Sequence, residues 1–179
     1  MSGIASMVVT ASNGVDRVCL LLAKAALVGM VAAIALQIVA RYGFHAPPSW
    51  TEELARYLMV WGGLLGATAA FRRGIDPAVV SRPETGRGWS ARFARTMLAV
   101  SVLLLVTPIL YFSIFGPGFD LARSFLMRNF ARTSSGLGIN LILIAAAIPT
   151  FCTVILIHLA ARLVAGPNDP KAAHATNIG

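Results

Sequence analysis

The chain has 179 residues, of which 57% are hydrophobic and 12% charged, roughly half the charged share of a soluble domain, which is about 25%. With a mean hydropathy of +0.75 this excludes a soluble protein and marks an all-α integral membrane protein. The net charge of +8 does not point to nucleic acid, because the basic residues fall between apolar runs instead of forming a face interleaved with aromatics; they read as topology signals.

Crossing about 30 Å of hydrocarbon takes about 20 helical residues. Four stretches reach that length, approximately 18–40, 52–71, 97–115 and 137–163, and form one membrane domain over residues 1–179. The first run follows a start without the basic residues of a secretory signal and leads into Arg41 with no convincing cleavage site, so it is kept as a true helix. Lys24 lies close enough to its end to reach the interface by its long stem. Cys19 and Cys152 fall inside apolar runs and read as buried thiols, with no disulfide and no metal.

The second run reads WTEELARYLMVWGGLLGATAAFRR from Trp50. Ser49 or Thr51 can cap it, and Glu52 and Glu53 in its first turn complement the helix dipole. Gly62, Gly66 and Ala70 recur every four residues, the spacing that lets two membrane helices approach closely. At 100° per residue, Glu52, Arg56, Met59, Gly63, Gly66 and Ala70 share one face, which should meet protein. Trp50, Leu54, Tyr57, Leu58, Trp61 and Leu65 lie opposite and should meet lipid, with Trp50 and Tyr57 as interface anchors.

The next connection, from Asp76 to Gly88, is rich in Pro and Gly and reads as a turn-rich linker. Pro108 and Pro149 interrupt the third and fourth runs, and each reads as a kink or as a local unwinding that binds substrate. Between those runs, Phe119, Ala122, Leu126 and Phe130 share one side while Asp120, Ser124, Arg128 and Arg132 share another. That pattern suggests a helical extension or a helix lying in the membrane interface.

Orientation follows from the loops. Arg72, Arg73, Arg82, Arg87, Arg92 and Arg95 make the second connection cytoplasmic, against Arg41 and Arg56 in the first. Four crossings then put both termini in the cytoplasm and leave Arg123, Arg128 and Arg132 outside. For Glu52, Glu53 and Arg56 three readings stand: a helix start with a Glu52–Arg56 pair at i,i+4, a contact with a partner chain, or a proton or cation site.

Arg41-Tyr42, then Trp50, Glu52, Glu53 and Arg56, then Trp61 with the Gly62 to Ala70 series and Arg72-Arg73-Gly74 resemble the small, four-helix membrane subunit (Q type) of tripartite ATP-independent periplasmic (TRAP) transporters. Ser134-Ser135-Gly136-Leu137-Gly138-Ile139 and Ile148-Pro149 are similar to the pattern that opens that family's last helix, with Asn140 where a proline is common and Ile75-Asp76 where a histidine and an aliphatic residue are frequent. The resemblance implies a non-catalytic subunit of the bacterial inner membrane, with no cofactor or metal of its own. It would brace a large TRAP membrane subunit that carries the solute and coupling sodium sites, and would help to seat a periplasmic solute-binding protein delivering an organic acid by ion-gradient-driven symport. The implied interface is Trp50, Glu52, Glu53, Arg56, Gly62, Gly63, Gly66 and Ala70, with membrane lipid around the rest.

Two other classes are considered. A self-sufficient dimeric transporter needs polar groups at mid-membrane, where the candidates are Gln37, Thr107, Asn140 and His158, and Gln37 and Asn140 lie toward helix ends. A haem-bearing anchor of an oxidoreductase needs two axial ligands at matching depth, whereas His45 and His158 fall at opposite ends.

Overall fold

The computed structural model describes residues 3–46, 48–73 and 89–165; the linker expected from Asp76 to Gly88 lies outside them. Helix α1 spans Gly3–Gly43, α2 Ser49–Arg73 and α3 Trp89–Ile114. Two 3-10 turns at Pro117–Phe119 and Leu121–Arg123 lead to α4, Phe125–Phe130, and then come α5, Ile142–Ala145, and α6, Ala147–Ala165. Four helical segments are long and apolar enough to cross a membrane, and no strand occurs among the described residues.

The expected helices are present with shifted bounds. The 41 residues of α1 make it about 60 Å long at 1.5 Å per residue, twice the hydrocarbon thickness. Its first turns, which precede the expected span of 18–40, are helical and carry Ser12, Asn13 and Asp16. Likewise α3 starts at Trp89, so Arg92 and Arg95 ride on a helix and not in a loop. Helix α3 continues through Pro108 to Ile114. Pro149 falls in the first turn of α6, where its missing N–H costs no ladder bond.

Packing follows a sequence period. The buried residues of α1 from Ser12 onward are Ser12, Cys19, Ala26, Ala33 and Ala40, one every seven residues and all small. On α2 Thr51, Ala55, Leu58, Gly62, Leu65 and Ala69, alternating four and three apart, are buried or half-buried, and Leu58, Gly62 and Leu65 meet α1 directly. This is the heptad spacing of a coiled-coil seam, made close by small side chains. A Cβ added at Gly62 would stand 3.2 Å from Ala26 Cβ, and one at Gly29 would stand 3.1 Å from a Leu58 methyl. The two helices run antiparallel through a short reversal, in which His45 takes a left-handed conformation (φ 53°).

Helix α6 is the hub, touching α1, α2 and α3. Cys152, Ile155 and Leu159 of α6 pack with Ala99 and Val106 of α3 and Phe71 of α2, while Val154 joins Cys19 and Leu65. Both cysteines are free and buried in these apolar clusters. The outer faces of α1 and α3 are left covered with exposed Leu, Val and Ile, such as Leu21, Val28 and Leu104, as a lipid environment allows.

Candidate functional site

Two stripes one residue apart run along α2. Thr51, Ala55, Leu58, Gly62, Leu65 and Ala69 form the closed seam against α1. Glu52, Arg56, Met59, Gly63, Gly66 and Ala70 form the open stripe beside it, about 100° further round the helix. Nothing lies within 4 Å of a Cβ placed on Gly63 or Gly66, and Met59 is 58% exposed. Along this stripe a shallow apolar groove of about 370 Å³ runs between α1 and α2, bounded by Leu27, Met30, Met59, Gly63 and Gly66, with Lys24 also on its wall. Of the expected interface residues, Gly62 therefore packs inside the chain, Gly63 and Gly66 stay open, and Ala70 is half-buried.

The opposite face is not a lipid face. Leu58 and Leu65 belong to the seam, and Trp61 packs against the Cys19, Leu65 and Val154 cluster while donating from Nε1 to the Leu143 carbonyl at 3.1 Å. The reason is that α2 has α1 on one flank and α5 and α6 on another, so its bulky residues fill the bundle. Composition of a face reports size and not what covers it.

At the N-terminal end of α2 the three charged residues separate. Arg56 pairs with Glu52 at 3.0 Å, with side chains 62% and 68% exposed, at the head of the open stripe. Trp50 is exposed next to them. Glu53 turns the other way. Its Oε2 accepts from the backbone N–H of Gly136 at 2.8 Å and of Leu137 at 3.0 Å, and Tyr57 Oη donates to its Oε1. Residues 133–141, expected to open the last helix, form instead a tight loop closed by a Thr133–Asn140 bridge, with Ser134 N–H on the Ile139 carbonyl at 2.8 Å. Asn140 Oδ1 accepts from Ile142 N–H at 2.9 Å, so the helix begins there and not at Leu137. A Cβ at Gly136 would lie 2.6 Å from Glu53 Oε2, so a larger residue there would displace the Glu53 carboxylate from the loop.

At the C-terminal end of α2 Arg72 donates to Ser12 Oγ at 2.5 Å and to Asn13 Oδ1, Ser12 Oγ and His158 Nδ1 are 2.8 Å apart, and Arg73 lies 3.8 Å from Asp16. Arg162 donates to the Phe71 carbonyl at 3.0 Å and lies over the Phe71 ring. These contacts bind α1, α2 and α6 together, and His158 is a hydrogen-bonded packing residue, 2% exposed. His45 and His158 are not brought together. The arginines read as topology signals thus also have structural partners, which local sequence does not disclose. The signal overlooked in the sequence was the strict seven-residue recurrence of small residues from Ser12 to Ala40; a search for that period would have found the α1 seam.

The arrangement sets a closed bundle on one side of α2 against an open stripe containing Gly63 and Gly66, headed by an ion pair, on the other. Residues 30–166 match the family model described as tripartite ATP-independent periplasmic transporters, DctQ component. The chain is similar to the sialic acid TRAP transporter permease protein SiaT of Haemophilus influenzae (strain 86-028NP), 35% identical over 74 residues that make up 39% of this chain and 12% of that protein. It is also similar to a protein of Haemophilus influenzae (strain ATCC 51907 / DSM 11121 / KW20 / Rd) named as a TRAP transporter small permease, 53% identical over 36 residues, 20% of this chain and 22% of that one. The matched stretches thus span less than a quarter of either relative's length.

Proposed function

The chain belongs to the DctQ component family of tripartite ATP-independent periplasmic transporters, and on that premise we propose that it is a non-catalytic small permease subunit bracing a large membrane subunit in the uptake of an organic acid. It is a multi-pass protein of the inner membrane. The observation that carries the bracing role is the open stripe. Among the described residues nothing comes within 4 Å of a Cβ placed on Gly63 or Gly66, and bare glycine in a membrane helix gains most from a second helix that fills the gap by van der Waals packing. The large subunit would supply that helix and would hold the solute and coupling-ion sites. A periplasmic binding protein would meet the end that carries Trp50, Glu52 and Arg56. An acidic solute fits the name of one relative, which speaks of sialic acid.

The reading is tested by co-purification. Gly66→Leu should lower recovery of the large subunit about tenfold, the effect of roughly 1.4 kcal/mol within an overpacking range of about 1–3 kcal/mol. Leu104→Ala, on the exposed face of α3, should leave recovery unchanged. Equal recovery with Gly66→Leu and the unaltered chain would remove the stripe as the interface. For the proposed orientation, a cysteine at position 86 in a background lacking Cys19 and Cys152 should react with impermeant thiol reagents only from the cytoplasmic side; labelling from outside intact cells would reverse it.

A further inference from the structure

The segment after α3 has no part in the docking stripe, yet it is a built structure. Gly116 N–H donates to the Asp120 carbonyl at 3.0 Å, and a Cβ on Gly116 would stand 2.6 Å from that same oxygen, so the chain folds back tightly over the end of α3. Ser124 Oγ then caps α4 by accepting from Met127 N–H at 3.2 Å. These two constraints hold Arg123 and Arg128 on one notch of about 460 Å³, floored by Phe112 and Pro117. A second cavity of about 390 Å³ shares Phe112 and Arg128 with the first and continues along α3 past Ile109 to Pro108, with Ile148 on its other wall. The two form one groove that is basic at the mouth and apolar along its length.

The charges at the mouth do not cancel. Arg123 pairs with Asp120 at 3.3 Å. Arg128 meets no carboxylate among the described residues. Two cations and one anion leave a single positive charge, the complement of one phosphodiester, whose oxygens a guanidinium can take two at a time. The mouth lies just past Ile114, where α3 ends; with α3 spanning the bilayer this end would meet the lipid headgroups, and Pro108 lies one to two helical turns back along α3. Around it Leu104, Leu105, Phe119 and Phe130 are exposed, so the groove opens on the lipid side.

We propose that this groove holds one anionic glycerophospholipid, its phosphodiester on Arg128 and Arg123 and an acyl chain along Ile109, Pro108 and Ile148. A soluble anion would use the mouth and not the apolar length; a protein helix would not need the cation at the rim. The site requires only that α3 crosses the bilayer, so it stands apart from the docking of any partner.

The test uses the full chain, extracted from membranes in mild detergent, supplied with dioleoyl phosphatidylglycerol and read by native mass spectrometry. The unaltered protein should retain one phosphatidylglycerol through delipidation. Arg128→Gln and Ile109→Trp, which act at opposite ends of the groove, should each lower retention about tenfold. Arg132→Gln, a basic residue outside the groove, should change it less than twofold, and dioleoyl phosphatidylcholine should be retained several-fold less. Circular dichroism matching the unaltered chain excludes unfolding as the cause. Full retention in Arg128→Gln or in Ile109→Trp overturns the proposal, as does equal loss in Arg132→Gln, which would mean diffuse attraction to the surface. Displacement of the lipid by millimolar glycerol phosphate, which has no acyl chain, would also overturn it by showing a free-phosphate site.

Discussion

Glu52 and Glu53 are adjacent in the chain, identical in chemistry and opposite in role. The first stands exposed with Arg56 at the head of the open stripe; the second is enclosed by the 133–141 loop and holds two of its backbone N–H groups. The same one-residue step repeats down α2, separating Leu65 in the seam from Gly66 in the groove. A step of 100° on a helix thus divides what stabilises this chain from what is left available to another.

That division is sharpest at Leu65. Leu65→Ala should leave a cavity between Cys19 and Val154 and cost about 2–5 kcal/mol of stability in the subunit alone, read as a lower unfolding midpoint in detergent. Gly66→Leu in the same assay should leave the midpoint nearly in place while reducing recovery of the large subunit. If both changes act on the subunit alone, the two stripes are not distinct.

The adjacent acids should part in the same way, more gently. Glu53→Ala removes the acceptor of the Gly136 N–H and one of two acceptors of the Leu137 N–H, which keeps Ser134 Oγ at 3.1 Å; a half-buried donor left without its acceptor is costly, so the midpoint should fall and the 133–141 loop should exchange amide hydrogens faster. Glu52→Gln removes an exposed i,i+4 pair worth about 0.3–0.5 kcal/mol and should leave the midpoint unchanged. In the assembled transporter Glu52→Gln, Arg56→Gln and the double change then decide whether the pair is buried against a partner. Removing one member of a buried pair leaves the other charge uncompensated, so each single change should reduce solute uptake strongly at matched membrane levels. Near-normal uptake in all three would leave the pair as a helix start.

Much of this molecule was legible without coordinates. Long apolar runs, the clustering of arginines and the four-residue recurrence of Gly62, Gly66 and Ala70 are local properties, and the bilayer makes them decisive because a spanning segment must satisfy its own backbone. The residues from Trp50 to Gly74 carried the family resemblance for the same reason, being one continuous helix and its flank. The heptad of small residues along α1 was also present in the sequence, hidden because alanine and serine do not stand out in an apolar run.

Other features could be settled only in three dimensions. Glu53 finds Gly136 at a sequence separation of 83, and Ser12 finds His158 at 146; the donors at 136 and 137 are backbone groups with no side-chain signature. Nor could periodicity say which of two parallel stripes on α2 faces α1, since both repeat with the same spacing. The sequence by itself determined the class and the number of crossings, because those follow from transfer of single segments into lipid, and it carried the family resemblance in one continuous run of residues. The tertiary structure decided which face closes, which acid turns inward and where the groove beside α4 opens, because each of these depends on what a distant segment places within a few ångströms.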